Sequence, residues 1–103
     1  MTTEIANTIF KQLGGGRFVA MTGAKNLIAH KDGLSFKIGY NSPGINYVKI
    51  TLNGNDLYNM SFERRSVRKG ELKVKVISSL EDIYFDQLQE FFTDQTGLYT
   101  SLR

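Results

Sequence analysis

SLEDIYFDQLQEFFTDQTGL, residues 79–98, is the stretch on which the fold reading turns. Leu80, Ile83, Tyr84, Leu88, Phe91 and Phe92 recur at spacings of three, four and eight, so an α-helix would place them on one face. Ser79, with Asp82 three residues on, has the spacing of a capping box. Gly97 follows the last apolar turn, where a left-handed residue closes a helix and lets Leu98 fold back onto it. The stretch predicts one amphipathic helix whose apolar face needs a sheet to lie on.

The middle of the chain offers that sheet. Leu34, Phe36, Ile38 and Tyr40 alternate with Ser35, Lys37 and Gly39. Asp32-Gly33 joins this run to Leu27–Lys31, and a dipeptide of that type is the strongest short hairpin signal, because a type I′ turn needs positive φ at both residues. A two-residue turn there would set Lys31 opposite Leu34, Ala29 opposite Phe36 and Leu27 opposite Ile38. Leu27 and Ala29 would then point inward, with Ile28, His30 and Lys37 on the other face. Asn41-Ser42-Pro43-Gly44 reads as a loop. Strands follow at 46–52, with Val48, Ile50 and Leu52 inward, and at 57–64, with Tyr58, Met60 and Phe62 inward. Asn53-Gly54-Asn55-Asp56 turns between them. After the turn Arg68-Lys69-Gly70-Glu71, a strand at 72–77 alternates Leu72, Val74 and Val76 with Lys73 and Lys75.

At the N-terminal end, Thr2 or Thr3 can cap a helix with Glu4 in its first turn. Ile5, Ile9 and Leu13 form its stripe beside Ala6 and Phe10, and Gly14 to Gly16 end it. Arg17–Thr22, with Phe18, Val19, Ala20 and Met21, reads as the first strand. Short turns between consecutive strands argue an antiparallel meander. The expectation is a single α+β domain over residues 1–103, with a five- or six-stranded antiparallel meander and N- and C-terminal helices packed on one face.

The 103 residues suit one domain, and 41% apolar residues suffice for a core. The absence of cysteine excludes disulfides, thiolate metal sites and cysteine nucleophiles. MTTEIANTIF lacks a basic start and a long apolar run, so no signal peptide is expected. No stretch reaches the roughly twenty apolar residues of a membrane span. A cytoplasmic protein without membrane partners is expected. The net charge of +3 is unevenly placed. Between Leu80 and Gly97 lie five acids and no Lys or Arg, which leaves the remainder of the chain at +8.

Two segments carry a likeness. ANTIFKQLGGGRFVAMTGAKNL (Ala6–Leu27) and YFDQLQEFFTDQTGLYTSL (Tyr84–Leu102) resemble a family of small proteins encoded by phages and prophages. The likeness spans most of the chain and is looser in the central hairpins. That family has no established activity, so the resemblance supplies no catalytic or binding residues. It implies a viral origin, the host cytoplasm, and the work small phage proteins do: binding nucleic acid, assembling particles or blocking host defences.

Gly14-Gly15-Gly16-Arg17 looks like a phosphate loop, but these glycines follow a predicted helix and no Lys-Ser/Thr succeeds them, so a helix stop and tight turn into a strand is the better reading. His30, the single histidine, has Ser35 across the hairpin. It has neither companion metal ligands nor an orienting carboxylate beyond turn residue Asp32, and reads as a solvated strand-end side chain. Asp82, Asp86, Glu90 and Asp94, spaced by four, predict an acidic stripe on the last helix. It could be solvated or could dock a basic partner, and a straight helical row does not suit a metal. Arg64, Arg65, Arg68 and Lys69 gather at one hairpin end, a second candidate partner-binding group. Lys37, Lys49, Lys73 and Lys75, with Tyr47 among them, are expected on the sheet face away from the core. There they would keep the sheet soluble, or hold a nucleic-acid strand by charge and stacking. Tyr99 and Leu102 are expected to pack down. The residue inventory predicts no catalytic group, no cofactor and no metal. Two functions remain: a protein-binding accessory module, for example a host-defence inhibitor of the anti-CRISPR type, and a nucleic-acid-binding accessory using the lysine face. Either is compatible with a homodimer.

Overall fold

The computed structural model describes residues 4–39, 41 and 43–98. Two helices, α1 (Glu4–Leu13) and α2 (Gly16–Thr22), precede five strands: β1 (Lys25–His30), β2 (Gly33–Lys37), β3 (Tyr47–Leu52), β4 (Tyr58–Arg68) and β5 (Glu71–Ile83). A 3₁₀ turn (Phe85–Gln87) then leads into α3 (Leu88–Thr96). The strands form one antiparallel sheet in the order β1-β2-β3-β4-β5, a meander as expected. The helices cover one face, with α1 lying against β2 and α3.

The core faces the helices. Ala6, Ile9 and Leu13 of α1 are buried, with Ile5 and Phe10 packed beside them. Leu34, Phe36, Val48, Ile50, Tyr58, Met60 and Phe62 supply the sheet side in the predicted period of two. Four rings meet in the middle. Phe92 lies 5.2 Å from Phe18 and 6.4 Å from both Phe36 and Phe62, and Phe18 meets Phe36 edge-on at 5.3 Å. Tyr58 is buried with its phenol; desolvation holds its pKa above 10, against an opposing hydrogen bond with Gln12.

Several local expectations are corrected. Residues 79–83 continue β5 instead of opening a helix, so the Ser79–Asp82 capping box does not form. β4 runs for 11 residues, and its backbone groups need a partner of matching length. Leu80 and Ile83 still reach the core, from the strand, but Tyr84 is 58% exposed. The helical start sits later: Tyr84 N–H donates to Gln87 Oε1 at 3.3 Å, and Gln87 N–H donates to the Tyr84 carbonyl at 2.9 Å. Phe92, not Phe91, is fully buried on α3; Gly97 closes that helix as expected, its N–H on Thr93 O, and Leu98 packs on the core.

Residues 16–22 form a helix rather than a strand. Four-residue apolar runs do not separate the two states. Gly15, at φ 61°, turns the chain straight from α1 into α2, and the helix buries Phe18 and Thr22 one turn apart. The glycines therefore join two helices and do not enter a strand.

At the first hairpin His30 pairs with Gly33 and Ala29 with Leu34, which makes Lys31-Asp32 the turn. Gly33 has no positive φ. Its need for glycine is contact: a Cβ would strike the Ile50 carbonyl and come within 2.9 Å of Thr51 Cα. The turn is pinned from the neighbouring strand, where Leu52 N–H donates to Asp32 O at 2.7 Å. β1 is an edge strand with a bulge between Lys25 and Ile28; Leu27 and Ala29 are exposed there, although Ala29, opposite Leu34, keeps the predicted side of the sheet. The type I′ geometry occurs instead at Lys69-Gly70, with φ of 52° and 79°. The expected cap at Thr2 or Thr3, the inward Tyr40 and the packing of Tyr99 and Leu102 lie outside the described residues.

Phe92→Ala should cost about 3–5 kcal/mol in a urea titration, as a large ring removed from a closed core. Half-buried Phe91→Ala should cost clearly less, and exposed Glu90→Ala under about 0.5 kcal/mol. Gly33→Ala should destabilise by about 1–3 kcal/mol through the clash with β3, whereas Gly54→Ala, with open space around it, should be near neutral. Equal midpoints for the two glycine variants would refute the close approach.

Candidate nucleic-acid interface

β3 meets β4 as far as Tyr47–Glu63. Beyond that pair, β5 is the one strand among the described residues that pairs with β4, through Arg64–Lys75, Arg65–Val74, Ser66–Lys73, Val67–Leu72 and Arg68–Glu71. Five cross-strand pairs thus form a two-stranded ribbon that overhangs the sheet by roughly 17 Å at about 3.3 Å per residue. It carries Arg64, Arg65, Arg68, Lys69, Lys73 and Lys75, six of the chain's 13 Lys and Arg, against the single acid Glu71.

An isolated hairpin is marginal in water, and this one is anchored at its base. Asn46 stands in for a missing strand residue: Arg65 N–H donates to Asn46 Oδ1 and Asn46 Nδ2 donates to Arg65 O, both at 2.7 Å. Asn46 N–H also donates to Glu63 O at 2.9 Å. The loop carrying Asn46 is held by Asn41, which is buried, donates to Gly39 O and Ile45 O, and accepts from Ile45 N–H. Gly44, at φ 82°, leaves room for Arg64, whose Nη1 would lie 2.7 Å from an added Cβ.

A bulge decides which residues share a face. Phe62 pairs with Ser78 and Glu63 with Val76, so β5 carries an extra residue at Ile77. The phase of β5 flips there. Ile77, Ser78 and Leu80 lie on the helix side, where Ser78 Oγ donates to Gln95 Oε1 at 2.7 Å. Beyond the bulge Lys73 and Lys75 take the helix side, and Leu72, Val74 and Val76 turn to the open face with Val67. All four are 49–71% exposed; for Leu72, Val74 and Val76 this reverses the inward side that their alternation with Lys73 and Lys75 suggested. The predicted lysine face is therefore split. Lys37 and Lys49 stand on the open face with Tyr47, and Lys73 and Lys75 stand behind it, beside Arg64.

On the open face Tyr47 does not present a bare ring. The Arg65 guanidinium carbon lies 3.7 Å from its centroid. Arg65 Nε donates to Glu63 Oε1 at 2.8 Å, and Glu63, itself buried, also accepts from Ser61 Oγ at 3.1 Å. Lys25 and Lys37 are direct cross-strand partners nearby.

The acidic stripe does not form. Asp82 ends β5, where it accepts from Asn53 Nδ2 at 2.9 Å; Asp86 is in the 3₁₀ turn; only Glu90 and Asp94 are on α3. All four are exposed, but the change from strand to helix removes their common face. His30 and Ser35 do meet, with Nε2 and Oγ 2.7 Å apart. Among the described residues no group of three His, Cys, Asp or Glu could hold a metal, and no helix is long and apolar enough to cross a membrane. Neither protein-family models, curated proteins nor solved structures yield a match to this chain.

Sequence reasoning found every cation of the ribbon but not their union, nor the role of Asn46. Gly70→Val should loosen the ribbon without unfolding the core, because a β-branched residue resists φ near 79°. Amide exchange should accelerate across Arg64–Lys75 and stay unchanged in α1 and β3. Uniform acceleration would mean that the ribbon and core open as one unit.

Proposed function

We propose that this chain is a small, non-enzymatic accessory protein of the phage type that binds nucleic acid through the β4–β5 ribbon. The observation that carries this reading is the cross-strand pair Arg64–Lys75, reinforced by Lys73 on the same face. Like charges directly opposite one another destabilise a strand pair. Phosphates between them would turn that repulsion into attraction. The phage resemblance of both chain ends agrees with such a role. A protein partner, such as a host-defence component, is the second reading; the exposed row Val67, Leu72, Val74 and Val76 favours it.

Fluorescence anisotropy with 20-nucleotide single- and double-stranded DNA tests the first reading. Six phosphate contacts predict an affinity loss on the order of 10³ for duplex between 50 and 200 mM salt. Lys73→Glu with Lys75→Glu should abolish binding and leave the far-UV spectrum unchanged, since both side chains are exposed. Binding that ignores salt, or survives the double substitution, rules the ribbon out. The second reading predicts instead a partner captured in the presence of nuclease, retained by the lysine variants and lost on Val74→Asp.

A further inference from the structure

We infer that the groove between the ribbon and the β1–β2 hairpin seats one unstacked base, so that the nucleic acid taken is a single strand. This rests on the ribbon being the nucleic-acid site. The groove, open to solvent with a volume of about 470 Å³, is lined by the open-face residues Lys25, Lys37, Tyr47, Arg65, Val67 and Leu72 and also by Ile38, Asn46 and Ser66. Its chemistry is mixed in a way that suits a nucleotide. Tyr47 backs the Arg65 guanidinium on one side, and the ion pair with Glu63 holds it from the edge. A guanidinium fixed by both stacking and a carboxylate is a preorganised plane. Unpaired bases stack on such planes as they do on aromatic rings.

Val67 and Leu72, a cross-strand pair 71% and 59% exposed, offer an apolar wall for the base. Lys25 and Lys37, facing one another across β1 and β2, place two positive charges at the groove where the adjoining phosphate would lie.

The bulge supplies the second argument. Arg65, Lys25 and Lys37 occupy the open face, whereas Arg64, Lys73 and Lys75 occupy the other side of the same ribbon. A duplex, stiff over about 150 base pairs, cannot bend round a ribbon two strands wide, and its bases have no free faces. A flexible single strand can cross the ribbon edge, engage both sets of cations and offer a bare base to the groove.

Three probes of equal length separate this inference from the reading it rests on: dT20, an abasic 20-mer with the same phosphates, and a 20-base-pair duplex. Anisotropy at 100 mM salt should show dT20 binding about tenfold tighter than the abasic strand, the size of one base stack, and tighter than the duplex. Arg65→Lys keeps the charge but removes the plane; it should bring dT20 and the abasic strand within about twofold and leave the salt slope unchanged. Val67→Ser, at a ribbon position 71% exposed, removes part of the apolar wall without adding charge and should likewise narrow the dT20-to-abasic ratio with the salt slope unchanged, should Arg65→Lys prove unstable. Equal, salt-dependent binding of all three probes to the parent protein would overturn the groove and leave the ribbon standing. An unaltered dT20-to-abasic ratio in both variants would likewise overturn it. No binding of any probe at 50 mM salt would overturn both.

Discussion

The structure depends on one aromatic junction. Phe92 on α3 sits against Phe18 of α2, Phe36 of β2 and Phe62 of β4, so a single ring ties both ends of the chain to two strands of the sheet. Each ring contributes its buried area plus roughly 0.5–1.5 kcal/mol per well-disposed pair. In a domain whose total margin is on the order of 5–15 kcal/mol, that junction is a large share. It also explains the short helices. Seven residues of α2 and nine of α3 would not persist alone; they persist because each delivers a phenylalanine to the same point.

With all three helices committed to that side, no helix among the described residues covers the other face of the sheet. It is polar over its centre, with Lys49, Thr51 and Ser61, and the buried Glu63 is compensated by Arg65 and Ser61. A carboxylate so placed would be costly without those donors. Here it does structural work twice over, fixing Arg65 above Tyr47 and marking where β3 ends and the ribbon begins.

The ribbon shows how unevenly a small net charge can be spread. The chain as a whole is +3, a weak footprint. Yet the ribbon concentrates six cations against one acid, while the acids between Leu80 and Gly97 are carried away by the end of β5, the 3₁₀ turn and α3. At physiological ionic strength charges act over roughly 8 Å, so local density governs contact with a polyanion. Two edges of the sheet are managed differently: β1 by a bulge and a left-handed Asn26, β5 by lysines at alternate positions.

The sequence by itself determined the class and most of the interior. The α1 stripe, the inward sets of β2, β3 and β4, the meander and the Gly97 helix stop all follow from local periodicity and turn chemistry, which neighbouring residues settle among themselves. Tertiary structure decided the rest. Phe18–Met21 is helical because Phe18 is needed at the aromatic junction, and periodicity over four apolar residues is silent on that. Residues 79–83 are strand because β4 requires a partner, a demand made by a segment some twenty residues away. The Asp32-Gly33 signal was real in composition but was overruled by β3, which pins the turn through Leu52 and admits only a glycine beside Ile50. Above all, the face that Lys73, Lys75 and the valines occupy hangs on one extra residue at Ile77. A sequence pattern of period two reads the same on either side of a bulge, and only the pairing with β4 tells which side of the sheet each residue joins.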